Sequence, residues 1–156
     1  ASRAAALGLV PHVLTRSLHG EARDVARELV ALGRELAAGR GRVAPPACLI
    51  AGGETTVTVR GSGSGGRCQE WALAAALELD GVDGIVALTD GSAGPTGAAG
   101  AIADGDSATR ARHQGLDPHA HLDRNDSNPF FAALGDLVVT GPTNTNLLDL
   151  YLVLID

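Results

Sequence analysis

The sequence predicts an α/β fold, a mixed β-sheet flanked by helices in a single layered domain, and three observations carry that reading. Ala47-Cys48-Leu49-Ile50-Ala51 and Ile85-Val86-Ala87-Leu88 are short, continuous apolar runs of the kind that form buried strands. Around them lie stretches with helical periodicity, amphipathic over residues 21–38 and almost wholly apolar over residues 71–79. With 156 residues and 45% hydrophobic content, the chain has the size and composition of one domain with a buried core.

Residues 1–18 are too apolar for a disordered tail and read as the end of a preceding region, with His12-Val13-Leu14 as a strand. In the following helix Val25, Leu29, Leu32 and Leu36 recur at helical spacing, while Arg23, Asp24, Arg27, Glu28, Arg34 and Glu35 take the remaining positions. Residues 39–46, from Gly39 to Pro46, stop that helix and turn the chain, so the opening reads as a βαβ unit. In Thr55-Thr56-Val57-Thr58-Val59 the valines fall on one face and Thr56 and Thr58 on the other, the period of a half-buried strand. Residues 85–88 read as a central strand that empties into Thr89-Asp90-Gly91, and ligands of α/β sheets sit beyond the carboxyl ends of such strands. Residues 92–106 form a long loop of small residues whose apolar part, 98–103, argues for order. Residues 107–114 predict a short helix. Asp117-Pro118 and Asn128-Pro129 each place a capping side chain before a proline, so two more follow, the second burying Phe130, Phe131 and Leu134 and ending at Gly135. Leu137-Val138-Val139-Thr140 predicts a strand, residues 141–146 a polar turn, and residues 150–155 the last strand.

All twelve basic residues are arginine, and the net charge of −6 argues against nucleic acid or an anionic membrane as a partner. No apolar run approaches the length that crosses a bilayer. Cys48 and Cys68 fit neither a C-x-x-C spacing nor a disulfide framework, which points to a reduced, cytoplasmic setting. Cys68 reads either as an inert small residue or, beside Arg67 in a first helical turn, as a thiol of lowered pKa. The histidines show no ligand spacing, and His119 and His121, two apart on a short helix, point different ways and read as solvated.

Chemistry concentrates in Gly52 to Glu70, GGETTVTVRGSGSGGRCQE, with four glycines between Gly61 and Gly66. So much glycine admits close approach of backbone to a ligand and leaves the next helix N-terminus facing an anion; the other reading is a flexible connector. Gly61, Gly63 and Gly66 also satisfy G-x-G-x-x-G, although a dinucleotide-binding strand is buried on both faces and TTVTVR has one wet face. A P-loop would need Lys and Ser/Thr where Arg67 and Cys68 stand.

GGETTVTV, GGRCQE, TDGSAGPTGAAGAIADG, NDSNPFF and GPTNTNLLDL occur in that order over residues 47–156, and the succession resembles the C-terminal MOFRL domain of type II glycerate 2-kinases. Relatives in that family also carry the older name hydroxypyruvate reductase. Residues 1–46 correspond to a lead-in segment. The resemblance implies one half of a two-domain enzyme that moves the γ-phosphate of ATP to the 2-hydroxyl of D-glycerate with Mg2+. This half would supply one wall of the cleft, and a missing N-terminal kinase domain the other. By motif, Glu54, Arg67 and Asp90 are the implied catalytic positions, with Asp90 also the metal ligand. Gly63, Gly65, Gly66, Arg67, Thr143 and Asn146 are the implied substrate- and phosphate-binding positions. Phosphoryl transfer is mostly positioning and charge neutralisation, which suits an arginine that grips oxyanions and carboxylates that orient a hydroxyl.

Each residue also has a plain structural role open to it: Glu54 as a sheet-edge pair, Arg67 as partner of Glu70, Asp90 and Asn146 as turn formers. The chain departs from the family at Ala93 and Gly97, where oxygen-bearing side chains are usual, at Cys68 in place of asparagine, and at Leu148 in place of a polar residue. The family's lysine would lie in the N-terminal domain, so the isolated chain is expected to have no kinase activity. An NAD(P)H-dependent hydroxypyruvate reductase and a non-catalytic anion-binding or structural remnant are the alternative functions. Apolar surface near residues 1–18 predicts self-association.

Overall fold

The structure, a computed structural model, describes residues 1–91, 96–141 and 148–156. In chain order the elements are α1 (Ser2–Ala6), β1 (Val10–Leu18), α2 (Ala22–Ala37), β2 (Ala47–Gly53), α3 (Arg67–Glu78), β3 (Ile85–Asp90), β4 (Gly100–Asp104), α4 (Ser107–His113), α5 (Pro118–Asp123), α6 (Ser127–Leu134), β5 (Leu137–Val138) and β6 (Asp149–Ile155). The strands form one mixed sheet of six in the order β1-β2-β6-β3-β4-β5.

The opening is the βαβ unit that its pattern predicts, with β1 and β2 parallel from Val10↔Ala47 to Leu18↔Gly53. Helix α2 buries Val25, Leu29 and Leu36, but Leu32 stays 37% exposed. The stripe is centred instead on Ala26, Val30 and Gly33, because a Cβ at Gly33 would stand 2.9 Å from Val153 Cγ1. Here helix and sheet approach closely, and Leu32 falls to the side. Helix α3 is buried without a break from Cys68 to Ala76, since it packs between α2, the sheet and the α5–α6 pair.

β6 is central. It runs antiparallel to both β2 and β3, which therefore point the same way on either side of it. Along β6, Asp149, Tyr151, Val153 and Ile155 are buried and alternate with half-buried or exposed Leu150, Leu152 and Leu154. The buried set continues through Leu49, Ala51, Ile85, Ala87 and Thr89 under the helices, where the Trp71 and Tyr151 rings lie 5.4 Å apart.

Residues 55–59 are not a strand. β2 ends at Gly53, at φ 155, where a Cβ would stand 2.7 Å from Leu18 Cα, and among the described residues, 55–59 join no ladder. The segment lies extended against the start of α2: Thr56 makes a single bridge with Glu21, and Thr58 N donates to Glu21 Oε1 at 2.8 Å. The long loop over residues 92–106 holds β4, paired to β3 from Leu88↔Ile102 to Val86↔Asp104. The first proline cap forms, Asp117 accepting from the backbone N–H of His119 and Ala120. The second does not: α6 starts at Ser127 with Asp126 as N-cap, so Pro129 is its third residue. Gly135 ends α6 at φ 77, the left-handed cap its type allows. His121 is buried rather than solvated, its Nδ1 3.0 Å from the Asp126 carbonyl and its ring against Phe130.

Candidate functional site

Because β6 starts where β2 and β3 end, its first residue lies among their carboxyl ends, and α3 begins at the same end. Asp149 falls on the helix side of the sheet with its side chain fully buried, and an ionised carboxylate survives there only if paired. Arg67 supplies the pair. Its Nε and Nη2 grip the two Asp149 oxygens as a fork, the Nη2–Oδ1 arm measuring 3.0 Å. Tyr151 OH donates to Asp149 Oδ2 at 3.0 Å, and Thr55 Oγ1 lies 2.9 Å from Tyr151 OH, so its hydroxyl is left to donate there. Gly91 closes the packing: a Cβ would stand 2.7 Å from Cys68 Sγ and 2.8 Å from Asp149 Cγ. The outer side of the fork is different. Nη1 meets Glu54 Oε1 at 3.0 Å, and the Glu54 side chain is 54% exposed.

Gly66, the N-cap of α3, is extended at φ −170 and contributes no side-chain cap, and a Cβ on it would meet nothing within 4 Å. The start of α3 therefore brings backbone N–H groups and an arginine together, an arrangement suited to an oxyanion. Cys68 takes the inert reading. Burial, then the Asp149 charge, push its thiol far above the usual range, and the opposing pull of Arg67 is smaller. Burial likewise raises the Tyr151 phenol, against the hydrogen bond from Thr55.

Of the residues singled out in the sequence, Glu54 and Arg67 meet here. Asp90 lies at the same end of the sheet but pairs with Leu150, on the face opposite to that of Thr89 and Tyr151. Gly63 and Gly65 face protein backbone and side chain: added Cβ atoms would crowd Arg124, Asp126 and Ser127, and Gly63 N donates to Arg124 O at 3.0 Å. Their glycine identity is thus explained by one loop lying flat on another. Thr143, Asn146 and Ala93 lie outside the described residues.

Three members of the site escaped the sequence reading: Asp149, Tyr151 and Thr55. The signal was present as an acid and a tyrosine two apart at the head of an apolar strand, which must share its buried face. Arg67 does not pair with Glu70. Arg23, expected among the solvated positions of α2, reaches Glu70 Oε1 with Nε and Nη2 at 3.1 and 2.7 Å, and both side chains are buried. Asn125 Nδ2 donates to the other Glu70 oxygen at 2.7 Å, while Asn125 Oδ1 accepts from Arg60 N and Gly61 N at 2.7 and 3.1 Å. That buried cluster pins the glycine loop beside the site.

The residues present do not make a divalent-metal site by themselves. Among the described residues no three His, Cys, Asp or Glu side chains stand together to hold one, and Glu54 and Asp149 are engaged by Arg67.

Fold and site define a mixed α/β domain whose strand ends present a carboxylate-clamped arginine. The chain belongs to the MOFRL family, whose model matches residues 47–149. It is 44% identical over 151 residues to the D-glycerate 2-kinase of Thermotoga maritima, a match covering 95% of this chain and 36% of that protein. A protein of Agrobacterium vitis with the provisional name hydroxypyruvate reductase is 44% identical over 160 residues, covering 99% of this chain and 42% of its own. The crystal structure of glycerate kinase from Thermotoga maritima superposes with a TM-score of 0.96 at 41% identity, over 99% of this chain and 38% of that one. The chain spans less than half the length of these relatives.

Proposed function

We propose that this chain forms one wall of the glycerate and phosphate cleft of an ATP-dependent D-glycerate 2-kinase. The observation that supports it is the Arg67 fork at the strand ends, in a domain that matches glycerate kinases over nearly its whole length. Arg67 holds a carboxylate or phosphoryl oxygen beside the first turn of α3, next to Gly66. A partner domain supplies the opposite wall and the ammonium group this lysine-free chain lacks. Mg2+, where it acts, needs oxygens beyond those of the described residues, and no step here passes through it. Phosphoryl transfer in such a cleft is positioning and charge neutralisation, which a preorganised arginine performs.

The test is a chimera in which this chain replaces the matching part of the Thermotoga maritima D-glycerate 2-kinase. Formation of 2-phosphoglycerate from ATP and D-glycerate is expected, and none from the isolated chain. A folded chimera that reduces hydroxypyruvate with NAD(P)H and forms no 2-phosphoglycerate would replace the kinase reading with the reductase one. The G-x-G-x-x-G here lacks the strand that such a site uses, since β2 ends at Gly53.

A further inference from the structure

Arg67 is held from two sides by carboxylates in opposite circumstances. Asp149 is fully buried, grips two guanidinium nitrogens and also accepts from Tyr151. Glu54 is 54% exposed and meets Nη1 through a single oxygen. Its backbone is tied, Glu54 N donating to Leu18 O at 2.8 Å, so a side-chain rotation alone withdraws it. Beside it lies the start of α3 without a side-chain cap, and among the described residues nothing stands within 4 Å of a Cβ at Gly66.

We propose that Asp149 and Glu54 divide the Arg67 guanidinium into a fixed inner edge and an exchangeable outer edge, and that the outer edge is a small-oxyanion site which Glu54 occupies until a ligand carboxylate or phosphate displaces it. This deepens the kinase reading and rests on it. Glu54 is a resident stand-in for the anion: it lies against Nη1 as an ion partner and competes when a ligand arrives. Asp149 is a positioning residue, because with two donors bound to it the fork keeps its direction when Glu54 leaves. An exposed carboxylate is the right competitor, since a screened surface ion pair is weak enough to exchange.

The test uses the whole chain with Glu54→Gln, which keeps the shape and removes the charge at an exposed position. Inorganic phosphate and D-glycerate are titrated separately by calorimetry, with the 15N–1H signals of the Arg67 guanidinium followed in parallel. Tightening of about 2–5-fold in Glu54→Gln for an anion that moves the Arg67 signals is expected, the size of an exposed ion pair. Tightening for glycerate alone assigns the outer edge to the substrate carboxylate, and for phosphate alone to the phosphoryl group. Equal or weaker affinity in Glu54→Gln, with Arg67 still responding, overturns the role of Glu54 and leaves the kinase reading standing. No response of Arg67 to either anion in both proteins overturns the anion site itself, and the chimera then decides the kinase reading separately.

Discussion

At the scale of single residues the site turns on Asp149, whose burial is tolerable because Arg67 and Tyr151 meet its carboxylate. Arg67→Ala leaves that charge unpaired and is expected to cost toward the lower end of about 3–5 kcal/mol, the pair being partly open to solvent on the Arg67 side. Arg67→Ala with Asp149→Asn recovers much of the loss, measured by urea unfolding followed through the single tryptophan, Trp71. Leu148 has φ 63, a left-handed conformation costly for leucine and easy for asparagine. Leu148→Asn should therefore stabilise by roughly 1 kcal/mol in the same assay. Cys68 and Tyr151 have folded-state pKa values raised above their ordinary 9.0 and 10.0. Raised values mean that the unfolded chain loses these protons first. Stability is thus fully present below about pH 9 and falls as the pH rises further, and Cys68→Ala should flatten part of that fall in urea midpoints across the range.

At the scale of elements, the glycine loop is a docked segment, and its anchor is testable. Asn125 carries four of its contacts, to Arg60 N, Gly61 N, the Thr58 carbonyl and Glu70. Asn125→Ala should free residues 58–64, read as faster limited proteolysis there while the rest of the chain stays protected. The βαβ opening, the apolar α3 and the Asp117 cap were legible because each rests on local pattern: periodicity, a continuous apolar run, a side chain before proline. TTVTV misled because alternation describes a chain that could pair, whereas pairing needs a neighbour, and β6 had already taken the free side of β2. Arg23 and Arg67 show the same limit at the site. Sequence placed Arg67 beside a helix start but not opposite Asp149, 82 residues away, and a buried long-range pair has no local signature.

At the scale of the molecule, α2 and α3 cover one face of the sheet, and the alternate residues Leu150, Leu152, Leu154, Leu88 and Ile102 on the other remain half-buried or exposed. Val13 at the β1 edge, 44% exposed and in register with Ile50 and Leu152, extends that apolar surface. Light scattering of the isolated chain at rising concentration should give a mass above the 15.7 kDa of one copy. An apolar sheet face of half-buried and exposed leucines fits a chain that spans about two-fifths of the length of these relatives. The central claim is that the Arg67 fork works in phosphoryl transfer. Its most direct measurement is kcat/KM for 2-phosphoglycerate formation by the chimera with Arg67→Lys, which keeps the charge facing Asp149 and removes the fork. A fall of about 100-fold or more with the folded state intact is the predicted result. An unchanged kcat/KM would contradict it and reduce the Arg67–Asp149 pair to a structural clasp.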